Sequence, residues 1–161
     1  MVGSRILVGI AAVAAIATGL VPASAQGATV CTFESDVEIS PGVTPEPTNA
    51  TFRTPEPGTI TCMGGIEGTG TIEYGGVTGI IGENCALDVQ GSGTLTYTIG
   101  ATTVTGTFEF TRVGLAGEFV ADTSAGPLAG LFQFQPAEGQ DCVTTPVTEA
   151  HVTGQAVVAT Y

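Results

Sequence analysis

The pentapeptide Gly106-Thr107-Phe108-Glu109-Phe110 recurs almost letter for letter at Gly70–Tyr74 (GTIEY) and Gly93–Tyr97 (GTLTY), with looser copies at Gly58–Cys62 (GTITC) and Gly130–Phe134 (GLFQF). In every copy the third and fifth residues are apolar: Ile60/Cys62, Ile72/Tyr74, Leu95/Tyr97, Phe108/Phe110 and Phe132/Phe134. The second and fourth are mostly Thr, Glu or Gln. A period of two sends alternate side chains to opposite faces of an extended chain, one buried and one wet. The copies therefore read as five strands of one antiparallel sheet, each entered through a glycine.

The same parity carries outward along the chain. Around Cys31, the residues Cys31, Phe33, Val37 and Ile39 share one face, and Thr32, Glu34, Asp36 and Glu38 share the other. Further alternating runs predict strands at about 29–39, 58–63, 68–75, 77–81, 87–99, 103–112, 115–122, 128–135 and 148–160. Gly75-Gly76, Gly100, Gly114 and Gly126-Pro127 mark turns between them. No stretch beyond the first residues repeats apolar side chains at three and four, so no substantial helix is expected. The fold class is all-β: an antiparallel up-and-down barrel or barrel-like sandwich of about eight or nine strands. The barrel is preferred because closure hides strand edges. Between Pro41 and Pro57 lie five of the nine prolines and two copies of TPEP, at Thr44–Pro47 and Thr54–Pro57. Proline removes ladder donors, so 41–57 reads as a Pro-rich surface loop.

The first residues read as a delivery label. Met1 to Arg5 carries one positive charge, Ile6 to Leu20 is apolar, and Ala23-Ser24-Ala25 has the small-residue form of a cleavage site. A lasting membrane span wants about 20 apolar residues. Residues 1–25 are therefore expected to be a signal peptide and 26–161 a single secreted, extracellular β domain, with no membrane insertion after cleavage. Cys31 is not preceded by the Leu and small residues of a lipid-attachment site.

The net charge is −12, and the sequence has no Lys; beyond residue 25 its only Arg residues are Arg53 and Arg112. Nucleic acid and anionic surfaces need a basic face, so both are disfavoured as partners. The acidity favours a soluble monomer. Four cysteines in a small exported chain read as two disulfides, with three pairings open. Parity puts Cys31 and Cys62 on inward faces of neighbouring strands, while Cys85 and Cys142 sit in polar, loop-like contexts. The expected pairs are 31–62 and 85–142.

Little in the sequence carries catalytic chemistry. The single histidine, His151, falls on the polar parity of the last strand with Thr153 and Gln155, and no G-x-S-x-G motif is present. Glu34, Asp36 and Glu38 form an acidic row, and Glu73 and Glu109 take the fourth place in two pentads. A carboxylate-dependent hydrolase or isomerase would need such a pair across a cleft, but this parity places all five in water. The row presents oxygen ligands of the kind Ca²⁺ takes, without a calcium-loop motif or zinc-ligand spacing. No catalytic residue, metal or cofactor is assigned.

What remains is an inward aromatic set: Phe33, Tyr74, Tyr97, Phe108, Phe110, Phe119, Phe132 and Phe134. A small barrel either fills its interior with side chains or keeps room for one small ligand. Tyr74, Tyr97, Phe108, Phe110, Phe132 and Phe134 are the candidate ligand-binding residues for a small apolar ligand, with the two tyrosines as polar tips. The alternative is a packed core in a structural or partner-binding protein of the cell envelope or extracellular space.

Overall fold

The computed structural model describes residues 28–46, 48–78 and 89–158. The expected signal peptide, 1–25, lies outside them. Among the described residues nine strands run in chain order: β1 (Thr29–Val43), β2 (Thr51–Arg53), β3 (Gly58–Met63), β4 (Gly68–Thr78), β5 (Val89–Ile99), β6 (Thr102–Val113), β7 (Ala116–Thr123), β8 (Gly126–Pro136) and β9 (Val147–Val158). Every pairing is antiparallel, and β9 returns to β1 along a ladder that is continuous from Thr29↔Val158 to Glu38↔Glu149. The sheet is thus a closed barrel, which settles the choice against a sandwich.

The barrel has eight lanes because β2 and β3 share one. β3 pairs with the first half of β1 and of β4, and β2 pairs with the second half of each. Between Glu34↔Thr59 and Glu38↔Arg53, β1 uses residues 35–37 while the shared lane uses 54–58. The two extra residues fall at the second TPEP, which leaves the wall after Thr54 and rejoins it as a bulge would. The Pro-rich loop expected over 41–57 is correspondingly narrower. β1 continues through Pro41 to Val43, and 51–53 is strand. Proline is tolerated there because the segments lie at the end of one ladder and in an excursion from another.

Gly75-Gly76 is also not a turn. Both residues sit within β4, opposite Thr94 and Gly93 of β5, so the two strands expected at 68–75 and 77–81 are one strand as far as Thr78. A Cβ on Gly76 would stand 2.0 Å from the Ser92 carbonyl oxygen. This pair marks a close approach of backbones and not a reversal. The true reversals include Gly100-Ala101 and Gly114-Leu115, where Ile99 faces Thr102 and Val113 faces Ala116. Gly100 and Gly114 have φ of 59° and 60°. A left-handed glycine at the first central position is what a two-residue II′ hairpin needs.

The pentad parity holds in the folded wall. Ile60, Cys62, Ile72, Leu95, Tyr97, Phe108 and Phe134 are buried, and Tyr74, Phe110 and Phe132 are half-buried. Glu73 and Glu109 are exposed on the outside. Cys31 and Cys62 face each other in register and are bonded, each only 1 % exposed. Cys142 is disulfide-bonded as well, and Cys85, the partner expected for it, lies outside the described residues. Among the described residues no helix is long and apolar enough to cross a membrane.

Candidate functional site

Inward aromatic side chains from six lanes meet along the barrel axis. Phe33 of β1 touches Phe119 of β7 edge to face, with centroids 5.8 Å apart. Phe52 of β2 reaches Phe110 of β6 at 5.5 Å, and Phe110 reaches Phe132 of β8 at 6.0 Å. Tyr74 of β4 meets Phe108 of β6 at 6.2 Å. None of these pairs joins neighbouring lanes, so the rings bridge the interior. Edge-to-face pairs of this kind contribute about 0.5–1.5 kcal/mol beyond the area they bury.

The repeated glycines explain how so many rings fit. Gly91, Gly117, Gly130 and Gly154 share the inward parity and stand opposite Phe110, Phe132, Phe119 and Phe33 in the ladders. A Cβ on Gly117 would lie 2.3 Å from the Phe132 ring, and one on Gly154 would lie 2.3 Å from the Phe33 ring. Each ring covers the space its cross-strand glycine leaves empty, an arrangement in which the aromatic shields a backbone that has no side chain of its own.

The rings do not fill the interior. They line a cavity of about 100 Å³, also walled by Ile60, Ile72, Leu95, Leu128 and Ala156. All six candidate ligand residues (Tyr74, Tyr97, Phe108, Phe110, Phe132 and Phe134) lie on this wall, as do Phe33 and Phe119. Three residues with structural roles here were not singled out from the sequence. Phe52 was hidden between the two TPEP segments. Arg112 follows Phe108 and Phe110 by parity, and that rule alone would have found it. Ser35 lies between Phe33 and Val37 on the inward face, where a lone serine gives no signal.

The polar groups of the interior are engaged or shut away. The Tyr74 and Ser35 hydroxyls are 2.6 Å apart, spanning from β4 to β1 where the shared lane is interrupted. Thr54, at the start of that interruption, donates its N–H to the Tyr74 carbonyl at 2.9 Å and accepts the Tyr74 N–H on its hydroxyl at 3.2 Å. Burial pushes the Tyr74 phenol up to about 12; the Ser35 hydrogen bond opposes this and the Asp36 charge adds to it. Burial also raises the Tyr97 phenol. The Tyr97 hydroxyl is enclosed with no hydrogen-bond partner among the described residues. Leaving such a group unsatisfied costs about 1–3 kcal/mol. Arg112, 5 % exposed, stacks its guanidinium 4.5 Å over Phe134 and donates to the Gly114 carbonyl.

Of the two expected polar tips, Tyr74 shares its hydroxyl with Ser35, and the Tyr97 hydroxyl is shielded from solvent with no partner among the described residues. No described carboxylate lines the cavity. His151 stands outside, opposite Asp36 in the β1–β9 ladder, with Nδ1 2.8 Å from the carboxylate. Glu38 forms an exposed ion pair with Arg53 at 2.8 Å. Glu34 and Asp36 are exposed. Among the described residues no three His, Cys, Asp or Glu side chains converge as a metal site would require. No family model, no curated protein and no solved structure matches this chain.

Proposed function

We propose that this chain is a secreted, non-catalytic β-barrel that holds a small apolar molecule among the rings of its interior. The observation that carries the reading is the apolar cavity bounded by aromatic and aliphatic side chains inside a disulfide-stapled barrel. Its size sets the occupant. Pockets for drug-sized ligands run to about 300–1,000 Å³, whereas an apolar void of about 150 Å³ stays dry and takes benzene or xenon. At about 100 Å³, this one suits a guest of a few heavy atoms. Export is supported by the leader-like residues 1–25 and by the disulfide, a bond kept in oxidising compartments. Acidic residues such as Glu34, Asp36, Glu73 and Glu109 on the outer wall, around an apolar interior, reverse the apolar-out, polar-in arrangement of membrane-spanning barrels.

Xenon is the test, because it enters apolar voids and makes no hydrogen bonds. A saturable ¹²⁹Xe chemical-shift titration, with the largest protein shifts at Leu95, Ile60 and the inward phenylalanines, is the expected result. Xenon shifts that grow linearly without saturation, or that map to the outer wall, would refute the reading.

One observation favours a second reading, that of a partner-binding protein. On the outer wall Met63, Val30, Val157, Ala129 and Val120 stand side by side in successive ladders, and Leu131 adjoins them. Leu131 and Val120 are 56 % and 58 % exposed, an unusual line of apolar surface for a strand exterior. A partner bound here would be lost on Leu131→Lys, whereas xenon uptake would persist.

A further inference from the structure

The chemistry of the cavity wall selects among apolar guests, and resting on the interior-binding reading above, we infer that the guest is a single unsubstituted aromatic ring. The wall offers two kinds of contact. Leu95, Ile60, Ile72 and Leu128 give aliphatic surface that any hydrocarbon satisfies. The remainder is ring, and the rings already stand edge to face: Phe33 to Phe119 at 82°, Phe52 to Phe110 at 88°, Tyr74 to Phe108 at 89° and Phe110 to Phe132 at 76°. Such a cluster presents both positive ring edges and negative ring faces. A further aromatic ring meets complementary charge in more than one orientation, whereas a saturated ring of the same outline meets only dispersion.

Polar substituents are disfavoured by the same wall. The Tyr74 hydroxyl is occupied by Ser35, the Tyr97 hydroxyl is shielded, and the Arg112 guanidinium sits over Phe134 and donates to the Gly114 carbonyl. A guest hydroxyl or carboxylate entering the cavity would lose its water against a wall that is almost wholly apolar. The volume of about 100 Å³ is below the roughly 150 Å³ of a void that takes benzene, so a single ring enters with small rotations of half-buried side chains, and fused systems are disfavoured. Phe33, Phe110, Phe119 and Phe132 are such half-buried rings, and the glycines opposite them leave their cross-strand neighbours without side chains to obstruct a tilt.

The test compares benzene, cyclohexane and phenol on the full exported domain by protein-detected NMR titration, with intermolecular NOEs locating each probe. Benzene is expected to bind saturably, with NOEs to Leu95 and Ile60 methyls. Cyclohexane should bind about two- to tenfold more weakly, the share of affinity that edge-to-face contact supplies. Phenol should be about tenfold weaker or more, because its hydroxyl is buried unpaired. Ala156→Val, which adds methyl groups to the cavity wall, should weaken benzene and leave the fold's amide spectrum in place. If that variant does not fold, the ranking of the three probes on the natural chain decides alone. Cyclohexane or phenol binding as tightly as benzene overturns the aromatic selection and leaves interior binding standing. Saturable uptake of xenon with no binding of any of the three likewise overturns the aromatic selection alone, whereas absence of saturable uptake by all four probes overturns interior binding itself.

Discussion

The contact between Ser35 and Tyr74 is a buried polar pair whose contribution can be isolated. Ser35 is 4 % exposed and its hydroxyl lies 2.6 Å from the Tyr74 phenol. Removing one partner leaves the other enclosed and unsatisfied, at a cost of about 1–3 kcal/mol, whereas removing both together is nearly neutral. Ser35→Ala and Tyr74→Phe should each lower stability by about 1–2 kcal/mol at neutral pH, and the double variant should lie closer to the natural chain than either loss added to the other. The assay is urea unfolding followed by near-ultraviolet circular dichroism, arranged as a double-mutant cycle. The pH dependence gives a second arm. The folded-state pKa of Tyr74 is raised from 10.0 to about 12, so the folded state disfavours the phenolate. Stability from this group is fully present below about pH 10 and is lost as pH rises through 12. A displacement of that size corresponds to ~2–3 kcal/mol. Tyr74→Phe should lack this share of the alkaline loss. Strict additivity of the two substitutions, together with an unchanged alkaline limb in Tyr74→Phe, would refute the reasoning.

Three further outcomes are expected. Gly70→Ala would place a Cβ 1.8 Å from the Thr98 carbonyl oxygen, and should cost about 3 kcal/mol or more in urea unfolding, while Thr71→Ala on the outer face stays within about 0.5 kcal/mol. Replacing Cys31 and Cys62 together by Ala opens a loop with a sequence separation of 31, which the chain-entropy relation values at about 3–4 kcal/mol; a loss under about 1 kcal/mol would show that the ladder alone holds β1 to β3. Asp141 accepts the N–H groups of Val143, Thr144 and Thr145 and the Thr144 hydroxyl, and the Thr144 contacts foremost hold its carboxyl down from 3.8 to about 2. A depressed acid stabilises its ionised state, so the turn should be intact above about pH 4 and come apart as pH falls through 2, read from the amide shifts of those three residues.

Parity carried most of the fold. Once Phe108 and Phe110 are placed on one face, the ladders require Ile72, Leu95, Tyr97 and Phe134 to follow, and the position of Cys31 opposite Cys62 follows from the same rule. It failed where local chemistry spoke louder than period. The prolines around Phe52 masked a three-residue strand too short to show alternation, and with it a cavity-wall ring. Gly75-Gly76 read as a turn because glycine signals both reversal and close approach, and only the neighbouring strand distinguishes them. The glycine leading each pentad read as an entrance to a strand, whereas Gly70, Gly93, Gly106 and Gly130 lie inside strands on the buried face. The tyrosine hydroxyls were the least legible. Their sequence neighbours do not reveal that Ser35, far away in the chain, would claim one of them.

The detour that β2 and β3 make within their common lane has a practical side. Residues 55–57 leave and rejoin the wall with pairing intact on both flanks, held to β1 and to β4 before and after. The molecule already tolerates a discontinuity there, and lengthening a surface connection adds entropy only logarithmically. That point on the circumference is consequently a natural graft site, where a foreign peptide could be displayed on the outside while the interior cavity and the β1–β9 ladder stay as they are.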